Sequence, residues 1–195
     1  MSPEEAKRLQ TRLGVPADGI IGRGTLKALF QKAGAAPERA ASLALGANVH
    51  FPTHHIMDTP LRLAHFMAQV GHESGGFRYM EEIASGSAYE GRKDLGNVIA
   101  GDGRRYKGRG PLQLTGRANY HRVGCMIGID LESNPELAAI PSIGILIACV
   151  YWTDRDLNKL ADRDDVEAVT RKVNGGFNGL GDRKDRLQKM KELML

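Results

Sequence analysis

The chain has 195 residues, enough for one full domain with a small appendage. Hydrophobic residues make up 42% and charged residues 26%, the balance of a globular protein rather than a disordered one. Net charge is +4, from 27 basic and 23 acidic residues without a long single-sign block. That balance favours an anionic partner such as cell wall. With no polybasic tail and no aromatic RNA-binding motif, it gives no support for nucleic-acid binding.

Residues 4–34 read as two short helices. Ala6, Leu9 and Leu13 follow a helical period that Gly14 ends, Asp18-Gly19 marks a turn, and Gly24-Thr25 opens a helix carrying Leu26, Leu29 and Phe30. Ala33 to Glu38 is a small-residue linker, and helical patterning resumes near Arg39. A strong helix is predicted from Pro60 to His72. Leu63, Phe66, Met67 and Val70 form its inner stripe, Thr59-Pro60 starts it, and Gly75-Gly76 stops it.

Residues 84–111 contain seven glycines, many charges and little periodicity. An irregular stretch of this length inside a compact domain reads as a functional loop. The run from Ile143 to about Leu157 is apolar on nearly every face and belongs at the centre of the domain. Asp164-Asp165 caps a short helix ending near Val173, and a basic helix runs from about Asp182 to Met194. The expected fold is mainly α: a helical domain with a cleft over residues 37–195, and a small helical segment over 1–36.

Met1-Ser2-Pro3-Glu4-Glu5 lacks the basic lead and apolar stretch of a signal peptide, and no apolar run is long enough to span a bilayer. The expectation is a monomer made in the cytoplasm, without membrane insertion. Cys125 and Cys149 are too few for a disulfide framework and are expected to be reduced and buried. The six histidines form no His-Glu-x-x-His motif and no zinc-spaced cluster, so neither a metal nor a cofactor is expected.

The chemistry concentrates at His72-Glu73-Ser74-Gly75-Gly76. Glu73 lies three residues after Val70 and continues the inner stripe of its helix. Burial and the helix C-terminus both disfavour its carboxylate, the condition of a general acid. Glu81, Glu82 and Glu90 lie beyond the glycine turn and are candidates for a second carboxylate. Two carboxyl groups facing one another across a groove are the usual equipment for cleaving a glycosidic bond.

Four segments, in order, resemble glycoside hydrolase family 19, most closely its bacteriophage endolysin branch. They are His72 to Gly76, the block Tyr106-Lys107-Gly108-Arg109-Gly110-Pro111-Leu112-Gln113-Leu114-Thr115-Gly116-Arg117-Ala118-Asn119-Tyr120, Asn134-Pro135-Glu136-Leu137, and Asn174-Gly175-Gly176. The resemblance covers residues from about 38 to 190. It implies a lysozyme-like fold with Glu73 as general acid, Glu82 as general base and Thr115 helping to hold the attacking water. It also places Gln113, Asn119 and Asn174 at sugar-contacting positions. Amide side chains offer both donors and acceptors to hydroxyl and N-acetyl groups.

The implied partner is bacterial peptidoglycan, reached from the host cytoplasm after release by a separate factor. Chitin is the alternative substrate, and a non-catalytic wall-binding protein the alternative class. The chain lacks the several disulfides and longer cleft loops of plant members. Near the N-terminus, Leu9-Gln10, Leu13-Gly14-Val15, Ala17-Asp18-Gly19-Ile20-Ile21-Gly22 and Thr25-Leu26 resemble a peptidoglycan-binding repeat. The unit is shorter than that family's module. At ~30 residues it cannot bury a core of its own and should dock on the rest of the chain.

Overall fold

The computed structural model describes residues 1–195. It contains ten α-helices and no β-strand beyond isolated bridges. The helices are α1 (Pro3–Leu13), α2 (Arg23–Lys32), α3 (Pro37–Thr53), α4 (Pro60–Glu73), α5 (Asp102–Arg105), α6 (Arg117–Ile127), α7 (Pro141–Asp154), α8 (Leu157–Ala161), α9 (Val166–Asn174) and α10 (Leu180–Met194). None is long and apolar enough to cross a membrane.

Local signals set most of the helix ends. A reciprocal cap between Ser2 and Glu5 starts α1, and left-handed Gly14 ends it. The Thr59 hydroxyl accepts from the Arg62 amide at 3.2 Å and starts α4, with Pro60 in its first turn. Beyond Glu73 the chain turns through Gly75 and Gly76 at φ +60° and +76°, a region that disfavours side chains. The central helix is shorter than expected. It ends at Asp154 rather than near Leu157, because Asp156 adopts φ +50° and separates α7 from α8.

Two apolar cores result. The larger contains Leu9, Leu26, Leu29 and Phe30 from the first two helices with Phe51, Phe66, Phe77 and Trp152. Its rings form a chain, Phe30 to Phe51 at 6.2 Å, Phe51 to Phe66 at 5.0 Å and Phe66 to Trp152 at 5.2 Å. The smaller core gathers Tyr106, Tyr120, Val123, Leu131, Ala138 and Ile147. Helix α7 serves both, sending Ile145, Ala148, Cys149 and Trp152 into one and Ile147 into the other. A helix between two cores needs apolar residues all round.

The N-terminal motif is organised by one buried amide. Gln10 donates to Asp18 Oδ1 (2.7 Å), the Ile20 carbonyl (3.0 Å) and Thr25 Oγ1 (3.1 Å), and accepts from the Gly19 amide (2.9 Å). The polar residues that give the motif its pattern are therefore used inside the unit, where they hold the α1–α2 turn. Cys149 is buried, but Cys125 is exposed, against expectation. The packed face of α6 carries Tyr120, Val123 and Gly124, which turns Cys125 outward.

His65 of α4 lies fully inside the structure. Its Nε2 pairs with Asp164 Oδ1 at 2.8 Å, and its Nδ1 is buried without a partner. Burial pushes this imidazole below its usual range, against the opposing pull of Asp164. A depressed histidine pKa means that the unfolded chain takes up the proton first as pH falls. The stability that His65 contributes is therefore complete above about pH 6.5 and lost progressively below it. Urea unfolding at pH 7.5 and 5.5 should show a larger drop for the wild type than for His65→Gln. Equal drops would show that His65 is uncoupled from folding.

Candidate active site

Glu73 closes α4 with its side chain 27% exposed. The apolar enclosure expected around it is not what it meets: the buried Arg183 guanidinium of α10 donates to Glu73 Oε1. The same guanidinium donates to Gln69 Oε1 (2.5 Å) and the Asn178 carbonyl (3.2 Å), while Gln69 donates to Thr170 Oγ1 (3.0 Å). Helices α4, α9 and α10 thus hold Glu73 through one buried polar cluster. Sequence reading missed both partners, yet each left a trace. Gln69 is a polar residue one turn before Glu73. Arg183 shares a face with Leu187, Met190 and Met194, all buried.

The three candidates for the second carboxylate separate by their contacts. Glu90 accepts from the Gly101 (2.7 Å) and Gly103 (2.8 Å) amides and organises its own loop. Glu81 pairs with Arg109 Nε at 3.0 Å and Lys107 Nζ at 3.3 Å. Glu82 instead accepts from the Tyr89 hydroxyl (3.0 Å) and the Gly108 amide (3.1 Å), with no cationic partner on its carboxylate. Its backbone amide donates to the Gly108 carbonyl at 2.8 Å, which fixes its place against the glycine-rich block. Burial raises the pKa of the Tyr89 phenol above its usual range, and the bond to Glu82 and its charge raise it further.

The block from Tyr106 to Tyr120 forms a tight hairpin and leads into α6. Arg109 and Leu114 exchange backbone bonds of 3.1 and 2.7 Å. Gln113 takes φ +53°, a conformation that is costly for a residue with a side chain and is often found at functional sites. A Cβ added at Gly108 would lie 2.5 Å from Gln113 Oε1 and 3.3 Å from Glu82 Oε2. Glycine at this point lets the amide of Gln113 stand beside the carboxylate of Glu82. Arg109 is held from behind by Glu81, the Arg105 carbonyl (2.8 Å) and the Tyr120 hydroxyl (3.2 Å).

Gln113, Thr115 and Asn119 share the wall of a cavity of about 180 Å³. The Thr115 hydroxyl donates to the Gln113 carbonyl (2.8 Å), and Asn119 Nδ2 donates to the Thr115 carbonyl (2.8 Å). Tyr151 of α7 lines the same cavity. Burial raises its phenol above the usual range, Arg155 opposes the shift and the Glu73 charge adds to it. The Tyr151 hydroxyl donates to the Val173 carbonyl of α9 at 2.7 Å. Asn174 stands apart from this group. Its Nδ2 donates to the Asn178 carbonyl (3.0 Å) and its Oδ1 accepts from the Gly176 amide (2.8 Å), so both ends of the amide hold the α9–α10 turn. No group of three or more His, Cys, Asp or Glu side chains is arranged to hold a metal ion.

Arg183→Met should lower the unfolding free energy by about 3–5 kcal/mol, the scale for removing one partner of a buried ion pair. Arg183→Lys, with one donor head in place of a planar fork, should fall between. Denaturant unfolding measures both. A loss below about 1 kcal/mol for the Met variant would show that the cluster is dispensable to the fold.

Residues 55–172 match the family model described as chitinase class I, glycoside hydrolase family 19. A glycosyl hydrolase family 19 domain-containing protein of Haemophilus influenzae is 31% identical over 154 residues, 63% of this chain and 75% of that protein. An endochitinase of Arabidopsis thaliana is 35% identical over 121 residues, 58% of this chain and only 39% of the plant protein. Among solved structures, chitinase C from Streptomyces griseus aligns with a TM-score of 0.71 at 22% identity, covering 90% of this chain and 95% of that one. A class IV chitinase from Zea mays aligns at 0.67 and 24% identity, covering 89% and 92%. The two structures share the mainly helical, lysozyme-like fold described above. With its model matched over more than half the chain, this protein belongs to glycoside hydrolase family 19.

Proposed function

We propose that the chain is an endolysin-type hydrolase that cleaves the β-1,4 bond between N-acetylmuramic acid and N-acetylglucosamine in bacterial peptidoglycan, with inversion. The observation that carries the acid–base assignment is the unequal support of two carboxyl groups. Glu73 is held on a helix end by Arg183, and Glu82 is held at the hairpin by a phenol and a backbone amide. In this reading Glu73 protonates the leaving oxygen, and Glu82 takes a proton from water on the opposite face of the sugar. The Thr115 proton is committed to the Gln113 carbonyl, so its hydroxyl offers lone pairs to the same water. One water proton would then point at Glu82 and the other at Thr115, leaving an oxygen lone pair for the anomeric carbon.

Gln113 and Asn119 would contact the sugar from the cavity wall, and Asn174 would act from its turn. The short loops and the absence of a disulfide framework favour a glycan that carries peptide stems. The net charge of +4 favours an anionic wall. The enzyme would be made in the host cytoplasm and meet the wall after release by a separate factor. Chitin hydrolysis is the second reading, favoured by the similarity to proteins described as endochitinases.

Digestion of purified peptidoglycan and of chitin oligomers, with mass analysis, tests the choice. New reducing muramic acid ends support the muramidase reading. Cleavage of chitin alone overturns it, and 1,6-anhydro ends would mean transglycosylation. Proton NMR of fresh products should show the α-anomer first. A first-formed β-anomer would mean retention and would remove the Glu82–Thr115 water site from the mechanism.

Glu73→Gln and Glu82→Gln should each lower cleavage ~10²–10⁴-fold with circular dichroism unchanged. Glu81→Gln should cost far less, since that carboxylate is occupied by Arg109 and Lys107. Equal losses at Glu81 and Glu82 would show that the base is misassigned.

A further inference from the structure

The cavity that holds Gln113, Thr115 and Asn119 has a charged end. Arg122, Asp154 and Arg155 line it. Asp154 Oδ2 lies 3.3 Å from Arg122 Nη1 and 3.7 Å from Arg155 Nη1. One carboxylate therefore faces two guanidinium groups, and this end of the cavity carries a net positive charge. The shorter contact belongs to Arg122. Arg155 Nη1 is buried and has no hydrogen-bond partner. The Arg155 guanidinium carbon lies over the Tyr151 ring, 3.6 Å from its centroid, which restrains the group.

The Arg155 side chain is 32% exposed and its ion pair with Asp154 is too long for a hydrogen bond, so an acceptor supplied by a ligand would add a bond that the protein does not make. A carboxylate suits a guanidinium best, because its two oxygens match the planar fork. The remaining wall is apolar, with Leu112, Val123, Ile147 and Val150, or carries neutral amides and hydroxyls. It suits the uncharged body of an acetamido sugar.

We propose that Arg155, with Arg122 beside it, binds a carboxylate carried by the glycan and thereby favours carboxylate-bearing peptidoglycan over neutral chitin. The inference rests on the peptidoglycan reading above and assigns the contact that would produce it. Two sources share the chemistry: the lactyl carboxylate of peptide-free muramic acid and a free carboxylate of a peptide stem. A neutral acetamido carbonyl is the competing occupant, and it would give no preference between the two polymers.

The test is binding by the full chain carrying Glu73→Gln, so that no ligand is consumed. Calorimetric titration would compare three oligomers of equal length: peptide-free glycan with lactyl carboxylates, glycan with peptide stems, and neutral chitin. Adding Arg155→Gln should weaken at least one carboxylate-bearing oligomer about tenfold or more, the scale of a charge-assisted hydrogen bond, and leave chitin within about twofold. Whichever oligomer loses affinity identifies the source. Arg155→Lys should retain part of the preference, whereas a purely structural role for the Tyr151 stack would make it as weak as the Gln variant. Arg122→Gln, at a more exposed position, should give a smaller loss in the same direction. Equal weakening on all three oligomers, no weakening on any, or no binding of either carboxylate-bearing oligomer by the Glu73→Gln parent would overturn the proposal. Failure of the peptidoglycan reading is seen separately, as absent wall cleavage by the unmodified enzyme.

Discussion

The Arg183 guanidinium, nearly fully buried, is the contact on which the arrangement of the candidate active site depends. It meets Glu73 and Gln69 of α4 and the Asn178 carbonyl before α10, while Gln69 reaches Thr170 of α9. A buried charge is tolerated only when it is paired and hydrogen-bonded. Each partner is consequently constrained by the others, and the terminal residue of α4 is tied to α10. A helix end would otherwise fray. The cluster turns an element terminus into a fixed mount for a carboxyl group.

The hairpin beside Glu82 is built by a different device. The hairpin at Arg109 and Leu114 depends on backbone conformations and close approach more than on apolar burial. Gly108 leaves room for Gln113 and Glu82, and Gln113 accepts an unfavourable φ of +53°. Support comes from behind through Arg109, Glu81 and Tyr120, whose hydroxyl also donates to the Lys107 carbonyl at 2.7 Å. The preceding loop is held likewise. Arg117 holds the Asp102 carboxyl below its usual range against the effect of burial, with the Ile99 and Val98 amides adding to the pull. A long irregular loop thereby keeps one shape without an apolar core of its own.

The first two helices belong to this same structure. Phe30 packs against Phe51 and, at 5.0 Å edge to face, against Phe77 immediately beyond the Gly75-Gly76 turn. The Gly34 and Gly76 backbones come so close that a Cβ at Gly34 would lie 3.1 Å from the Gly76 carbonyl oxygen. The N-terminal segment therefore buttresses the turn that follows Glu73. Its repeat-like polar residues, gathered on Gln10, keep the segment in the shape that allows this contact.

The sequence by itself determined what local chemistry encodes. Gly14 marked the end of α1, and Thr59-Pro60 and Gly75-Gly76 marked the two ends of α4, because those signals act within one helical turn. Glu73 was legible for the same reason, as a polar residue on an apolar stripe, whereas the Tyr106–Tyr120 block was legible through its resemblance to glycoside hydrolase family 19. The distinction among Glu81, Glu82 and Glu90 was not legible, because it depends on Arg109, Tyr89, Gly108 and the loop amides. Nor was the choice of Arg183 from a helix rich in Lys and Arg, nor the outward turn of Cys125. The joining of Tyr151 and Arg155 to Gln113, Thr115 and Asn119 was likewise hidden. Those pairings link residues far apart in the chain, and their energies arise only when packing removes water from between them. Tertiary structure alone decided them, since a charge or an amide in the extended chain has solvent as its partner.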